Sequence, residues 1–396
     1  MIKNQLKTNV LVLKKTINAQ NLNVMRNLLL VIFMLSSLSL FAQTAAELKL
    51  KSGIEKSELG DYHGAIADFD KALELYPDYF DVYFERSKVK LLLFKNKEAV
   101  LDLDKAIQMD SSYTKAFFLR GLVRNDLKQY KEAILDFNLV ILRKPDEIEA
   151  YYYRASSYMH LNNYNNAIKD LNRVILLDPK NKEAYNNRGL CYNSIGWHKK
   201  AVEDLTKAIE IDSSYEASYG NRGVAYMYLG MPSLAVKDMT KLIQLNPNDA
   251  EAYESRGLAK DMIKDYSGAI ADFTKALEID PTNFLYYYHR GNSKREKGEP
   301  YGALADFDKS IQFNPKFSSS YNNRATIKGK INKSDEAMKD FTKAIELEPL
   351  NAGYYENRAY LKGNMGDLKG SCADMLQSEK LGSPRATEFR KTYCGN

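Results

Sequence analysis

The sequence predicts an all-α solenoid of ten 34-residue helix-turn-helix repeats. Two observations carry this. One short segment returns ten times at an unbroken step of 34 residues, and each copy splits into two helix-length patterns punctuated at the same two places. A third observation, a charge-balanced body behind a basic and apolar leader, sets residues 43–383 apart from residues 1–42.

The leader comes first in chain order. Lys3, Lys7, Lys14, Lys15 and Arg26 stand there without a single acid, and a run from Leu28 through Leu35 to Phe41 follows, closing at Ala42-Gln43. A basic stretch, a short apolar core and a small residue before a polar start form the pattern of a secretory signal peptide. Leu40 departs from it, because a small residue is preferred three places before the cut. The alternative is a retained membrane anchor, but about 15 apolar residues fall short of the roughly 20 needed to span a bilayer. The expected location is therefore exported, periplasmic or bound to the cell envelope, with membrane contact only through this segment if it stays uncleaved. Residues 1–24 read as an extended basic region, or translation starts at Met25. No Cys follows the run, so no lipid-modified N-terminus is expected.

The formal charge of +6 belongs mostly to that leader. Without its five cations, 52 basic residues face 51 acidic ones, a net of +1. So balanced a body offers no general attraction to phosphate backbones, and nucleic acid is not an expected partner. A mean hydropathy of −0.46 also excludes a multi-span membrane protein.

The repeat is visible in Ala65-Ile66-Ala67-Asp68-Phe69-Asp70-Lys71-Ala72-Leu73. Its first residue recurs as Ala99, Ala133, Ala167, Ala201, Ala235, Ala269, Ala303 and Ala337, then as Ser371. In the fourth copy the pattern predicts one helix over Glu149 to Leu161 and a second over Tyr164 to Leu177. Asn162 turns the chain between them, at the place of Gly60, Gly196, Gly230, Gly298, Asn332 and Gly366. Gly and Asn tolerate the left-handed conformation that ends a helix. The second helix stops before Pro77, Pro145, Pro179, Pro247, Pro281, Pro315 or Pro349, because proline cannot continue it. Small residues such as Gly121, Ala155, Gly189, Gly223, Gly257 and Gly291 recur in the first helix, where helices must approach closely.

These residues resemble the tetratricopeptide repeat family. Ala155, Ala167, Leu171, Val174 and Pro179 occupy the family's signature places, Val174 replacing its usual Ala. The resemblance covers residues 46 to about 383. It implies a right-handed superhelix whose first helices line a concave surface, with stability summed over repeats and neighbour interfaces. The last copy departs most, with Ser371, Ser378 and Ser383 for Ala, Ala and Pro. Residues 384–396 then read as a capping helix and tail, Phe389 and Tyr393 being placed to cover the open end.

Two positions that the family usually fills with apolar residues carry charge here. One holds Arg86, Arg120, Arg154, Arg188, Arg222, Arg256, Arg290, Arg324 and Arg358. The other holds Asp68, Asp102, Asp136, Asp170, Asp204, Asp238, Asp272, Asp306, Asp340 and Asp374. Because Arg can grip a carboxylate with two parallel hydrogen bonds, the rows read as a structural Arg–Asp ladder rather than an anion-binding stripe. Sequence leaves open whether each Arg takes the Asp of its own repeat or of the one before.

Chemistry-bearing motifs are missing. His63, His160, His198 and His289 fall at four different frame positions in separated copies, so no metal site or nucleophile–base pair is expected. Neither a phosphate-cradling loop nor a strand–nucleophile–helix turn is present. The expectation is no catalytic residue, no cofactor, no metal and no small-molecule substrate. Cys191 reads as a buried thiol on a packing face. In an oxidising compartment Cys372 and Cys394 would staple the chain end; the alternative is two free, semi-buried thiols. The tyrosine column Tyr83, Tyr151, Tyr185, Tyr219, Tyr253, Tyr287, Tyr321 and Tyr355 reads as packing with a polar tip.

Function is therefore sought where the copies differ. The resemblance places Phe84, Leu91, Leu92, Phe118, Leu122, Tyr152 and Met159 on the concave face of repeats two to four, while repeats five to nine carry polar groups there. An apolar patch beside a polar groove suits a protein or peptide partner. The family's clamp for acidic chaperone tails is not expected, since none of its lysine places holds Lys; Phe84, Phe118, Tyr152, Asn186, Gly220 and Glu254 stand in six of them. The leading reading is a non-catalytic protein- or peptide-binding scaffold of the cell envelope. A structural part of an envelope assembly, binding through its convex face or ends, is the first alternative. An enzyme with a site grafted onto the solenoid is the second.

Overall fold

A computed structural model describes residues 2–394, with the side chains of residues 24–34 and 40–394. The chain divides into two compact units, residues 1–178 and 179–396. The first contains α1 (Ile2–Glu58), α2 (Tyr62–Leu75), α3 (Phe80–Leu92), α4 (Asn96–Met109), α5 (Thr114–Asp126), α6 (Tyr130–Arg143), α7 (Ile148–His160) and α8 (Tyr164–Leu177). The second contains α9 (Lys182–Ser194), α10 (His198–Ile211), α11 (Glu216–Tyr228), α12 (Pro232–Leu245), α13 (Ala250–Met262), α14 (Tyr266–Ile279), α15 (Phe284–Lys297), α16 (Pro300–Phe313), α17 (Ser318–Lys330), α18 (Ser334–Leu347), α19 (Ala352–Asn364), α20 (Leu368–Lys380) and α21 (Pro384–Tyr393). Both units are all-α repeat solenoids. The first holds four helical hairpins and the second six, α21 lying against the last, among the described residues.

The 34-residue step reappears in the core as a large side chain buried at the same place in each hairpin. Phe69, Leu103, Phe137 and Leu171 hold this place in the first unit, and Leu205, Met239, Phe273, Phe307, Phe341 and Met375 in the second. Each points at a small residue of its partner helix. A Cβ added to Gly121, Gly189, Gly223 or Gly257 would sit 2.5 to 2.8 Å from the Phe137, Leu205, Met239 or Phe273 side chain. Close approach, not backbone freedom, requires those glycines.

Helix ends follow local chemistry. The first helix of the fourth hairpin spans Ile148–His160, one residue earlier than the sequence suggests. Asn162 has φ 55°, in the left-handed region. The same frame position forces Phe94, Lys128 and Lys264 to φ 58°, 60° and 63°, so side chains with no preference for that region adopt it where hairpin geometry demands it. Pro232, Pro300 and Pro384 open α12, α16 and α21, where a missing N–H costs nothing.

The leader is helical and continuous with the first repeat, so α1 runs through the Ala42-Gln43 junction. Leu28, Leu29, Ile32 and Phe33 are exposed, whereas Ala46 and Leu50 pack onto α2. No helix is long and apolar enough to cross a membrane, among the described residues.

Candidate functional site

Each arginine of the ladder grips the aspartate of its own hairpin, sixteen residues on. Arg86–Asp102, Arg120–Asp136, Arg154–Asp170, Arg188–Asp204, Arg222–Asp238, Arg256–Asp272, Arg290–Asp306, Arg324–Asp340 and Arg358–Asp374 all pair through Nε and Nη2, at 2.5 to 3.2 Å. Nη1 reaches the preceding hairpin as well, donating to Asp70, Asp104, Asn138, Thr206, Thr240, Thr274, Asp308 or Thr342. The carboxylates are buried, while the guanidiniums keep a partly exposed edge. Asp68 is the exception: Ser52 stands in the arginine place, and Lys49 and Lys56 supply the positive charge.

A second cation, four residues after the arginine, escaped the sequence reading. Lys90, Arg124, Lys260, Lys294, Lys328 and Lys362 each pair with the second oxygen of the same aspartate, at 2.7 to 2.9 Å. Three hairpins carry Tyr158, Tyr192 or Tyr226 there instead. Asp170 and Asp374 differ in this respect. Burial lifts Asp170, which has Arg154 as its cation, above its ordinary value. At Asp374 burial also pushes upward, but Arg358 and Lys362 outweigh it and hold the carboxyl below that value.

The tyrosine column does more than pack. Each ring lies under the arginine three residues on, from Arg86 over Tyr83 at 5.4 Å to Arg358 over Tyr355 at 5.9 Å. The hydroxyls of Tyr151, Tyr287, Tyr321 and Tyr355 donate to the carbonyls of Pro145, Pro281, Pro315 and Pro349. Tyrosine thereby ties the ladder to the turn before its own helix.

In the first unit, Phe84, Phe118 and Leu122 come together. They line a hollow of about 410 Å³ with Leu119 and Val140. Lys88, Lys115 and Lys144, with Glu147, also line it. Phe84 rests edge-on against Tyr113 at 5.0 Å, and Phe118 lies 6.0 Å from Phe137, so both rings are half-buried and held in place. The other four candidates lie outside this hollow. Leu91 packs into the core beside Leu103, Leu92 is exposed, Tyr152 meets Tyr153 at 5.5 Å, and Met159 is half-buried on α7.

The second unit presents mostly polar side chains at the equivalent positions, and asparagines of the adjoining first helices bond to three of them. Asn221 donates to Asn186, Asn323 to Asn292 and Asn357 to Asn322, at 2.8 to 3.0 Å. A hollow of about 690 Å³ opens in this face between α11 and α13, beside Gly220. Sequence comparison of the copies contained its signal: Gly220 stands where Phe84, Phe118, Tyr152 and Tyr288 stand elsewhere.

Burial pushes the Cys191 thiol up to about 12, leaving it protonated at neutral pH. His160 and His198 stack on Tyr130 and Tyr228, and His289 lies 3.4 Å from Glu254. No group of three or more His, Cys, Asp or Glu side chains could hold a metal ion, among the described residues.

At the chain end, Cys372 and Cys394 form a disulfide with Cα atoms 5.7 Å apart. The Ser378 hydroxyl donates to the Ala352 carbonyl, and Ser383 caps α21 and also bonds Glu356. Phe389 packs edge-on against Tyr360 and joins the cluster of Ala359, Met375 and Ala386, whereas Tyr393 stays exposed.

Models described as tetratricopeptide repeat match residues 46–79, 148–181, 182–215, 221–284 and 318–349. No curated protein matches the chain. Among solved structures, the C-terminal part of a TPR repeat-containing protein from Cytophaga hutchinsonii aligns with a TM-score of 0.53 and 21% identity, over 61% of this chain and 98% of its own. A tetratricopeptide repeat protein from Parabacteroides merdae aligns at 0.49 and 20%, over 62% and 97%. YrrB, a TPR protein with an unusual peptide-binding site, aligns at 0.42 and 23%, over 46% and 95%.

Proposed function

Because the chain belongs to the tetratricopeptide repeat family, we propose that it is a non-catalytic scaffold of the cell envelope that binds a protein or peptide segment on the face lined by its first helices. The observation that carries this reading is the hollow of Phe84, Phe118 and Leu122. Pre-positioned aromatic rings around a concave apolar floor give a partner side chain somewhere to bury area without ordering the receptor first. Lys88 and Lys144 pair with Glu85 and Glu147, and Lys115 in the same lining favours a segment with an acidic residue beside an apolar anchor.

Envelope location rests on the basic and apolar leader, whose Leu28, Leu29 and Ile32 are exposed. Export followed by cleavage leaves a chain beginning at Gln43, whereas a retained leader holds the repeats at a membrane. Mass measurement of the protein from its native envelope fraction decides between them.

The binding test immobilises the chain from Gln43 and compares envelope proteins captured by wild type, by a Phe84→Glu, Phe118→Glu double variant, and by Tyr152→Ala, which lies outside the hollow. A partner kept by wild type and Tyr152→Ala but lost by the double variant is the expected outcome. Retention by all three, at unchanged helicity, removes the hollow as the recognition site.

A further inference from the structure

We infer that the hollow between α11 and α13 in the second unit is a pocket for a lysine- or arginine-bearing segment of a partner protein. This rests on the scaffold reading above and specifies the chemistry of one partner segment.

The first ground is a glycine that packing does not require. Gly220 lies inside α11, where glycine costs about 1 kcal/mol relative to alanine. At Gly189, Gly223 and Gly257 a Cβ would collide with a neighbour at 2.5 to 2.8 Å. At Gly220 its nearest neighbour would be Leu242 at 3.5 Å, an ordinary contact. Leu242, which replaces the Ala106, Ala208 or Ala276 of other copies, takes up part of the room without demanding glycine. The hollow that remains, about 690 Å³, is large enough for several side chains of a bound segment.

The second ground is charge. Glu216, Asp249 and Glu251 line the hollow, and no lysine or arginine does. None of the three is in an ion pair, among the described residues. Each has a local role to set against this. Glu216 and Glu251 lie in the first turns of α11 and α13, Glu216 faces the Asn246 amide at 3.5 Å, and Asp249 caps α13 by accepting from the Ala252 N–H. The two helix N-termini present roughly half a positive charge each, so three carboxylates leave the pocket negative by about two charges. Val224, Met239 and Leu242 form an apolar floor. Methylene stem on an apolar floor with the charged head among carboxylates is how lysine and arginine are accommodated.

The test selects peptides from a displayed random library on the immobilised chain and repeats the selection on Gly220→Leu and Glu251→Gln. Leucine fills the pocket and strengthens the helix, and glutamine keeps the shape of Glu251, so neither variant threatens folding. The expected result is enrichment of lysine or arginine on wild type. A selected basic peptide should bind each variant about tenfold or more weakly, and wild type less tightly as salt rises. Enriched peptides without a basic residue, or basic peptides bound equally by Gly220→Leu, overturn the pocket while leaving the scaffold reading standing. Recovery of no peptide on any form overturns both.

Discussion

Arg120 meets the Asp136 carboxylate with Nε and Nη2 inside one hairpin, and its Nη1 reaches 2.6 Å back to Asp104 in the hairpin before. One guanidinium thus joins two helices of its own repeat and one of its neighbour. In a solenoid, where each repeat contacts only those beside it, that triple link is an interface term repeated in eight copies.

Loss of a ladder arginine should be costly where no second cation stands by. Arg222→Ala leaves Asp238 buried with Tyr226 in place of a lysine, and is expected to destabilise by about 3–5 kcal/mol. Lys294→Ala leaves Arg290 on Asp306 and should cost about 1 kcal/mol or less. Urea denaturation of both measures the contrast, and equal losses would contradict the role given to the second cation.

Acid sensitivity should differ in sign between Asp374 and Asp170. Asp374, held below its ordinary value, contributes stability that is present above that value and lost as pH falls through the lowered one. Asp170, lifted by burial, binds its proton more tightly folded than unfolded, so its ionisation costs stability as pH rises through the raised value. Tyr158→Lys recreates the Lys362 arrangement beside Asp170 and should bring that carboxyl below its ordinary value. Carbon-13 titration of Asp170 reads this directly; no downward movement would count against it.

Phe94 holds φ 58° with its side chain 92% exposed, so it bears left-handed strain without packing return. Phe94→Gly should stabilise by about 1 kcal/mol. Phe94→Ala, which keeps the Cβ, should not. A Tm unchanged by the glycine would show that the turn relaxes for any residue.

Cutting the Cys372–Cys394 staple should loosen the chain end. The bridge closes a separation of 22 residues, for which about 3 kcal/mol is the usual stabilisation. Cys394→Ser is expected to speed amide exchange in α21 and around Met375, while α11 to α14 keep their protection. Unchanged exchange over residues 384–393 would mean that Phe389 and the Ser383 cap hold the helix alone.

Periodicity made the fold legible because every 34-residue unit buries the same frame positions, and the series from Phe69 to Met375 is readable without coordinates. The Arg and Asp rows were equally legible, since they sit at constant frame positions. Which aspartate each arginine takes was decided only in three dimensions, by helix spacing that brings positions sixteen apart into bidentate reach. The seven proposed groove residues show the same limit. The family resemblance assigned all of them to one face, but only Phe84, Phe118 and Leu122 share a hollow, because Leu91 turns into the core and Tyr152 leans on Tyr153. Gly220 was visible as a gap in a column of large residues, yet a gap becomes a pocket only if neighbours fail to fill it. Leu242 fills part of this one, and that balance of side-chain volumes across helices belongs to the tertiary structure alone.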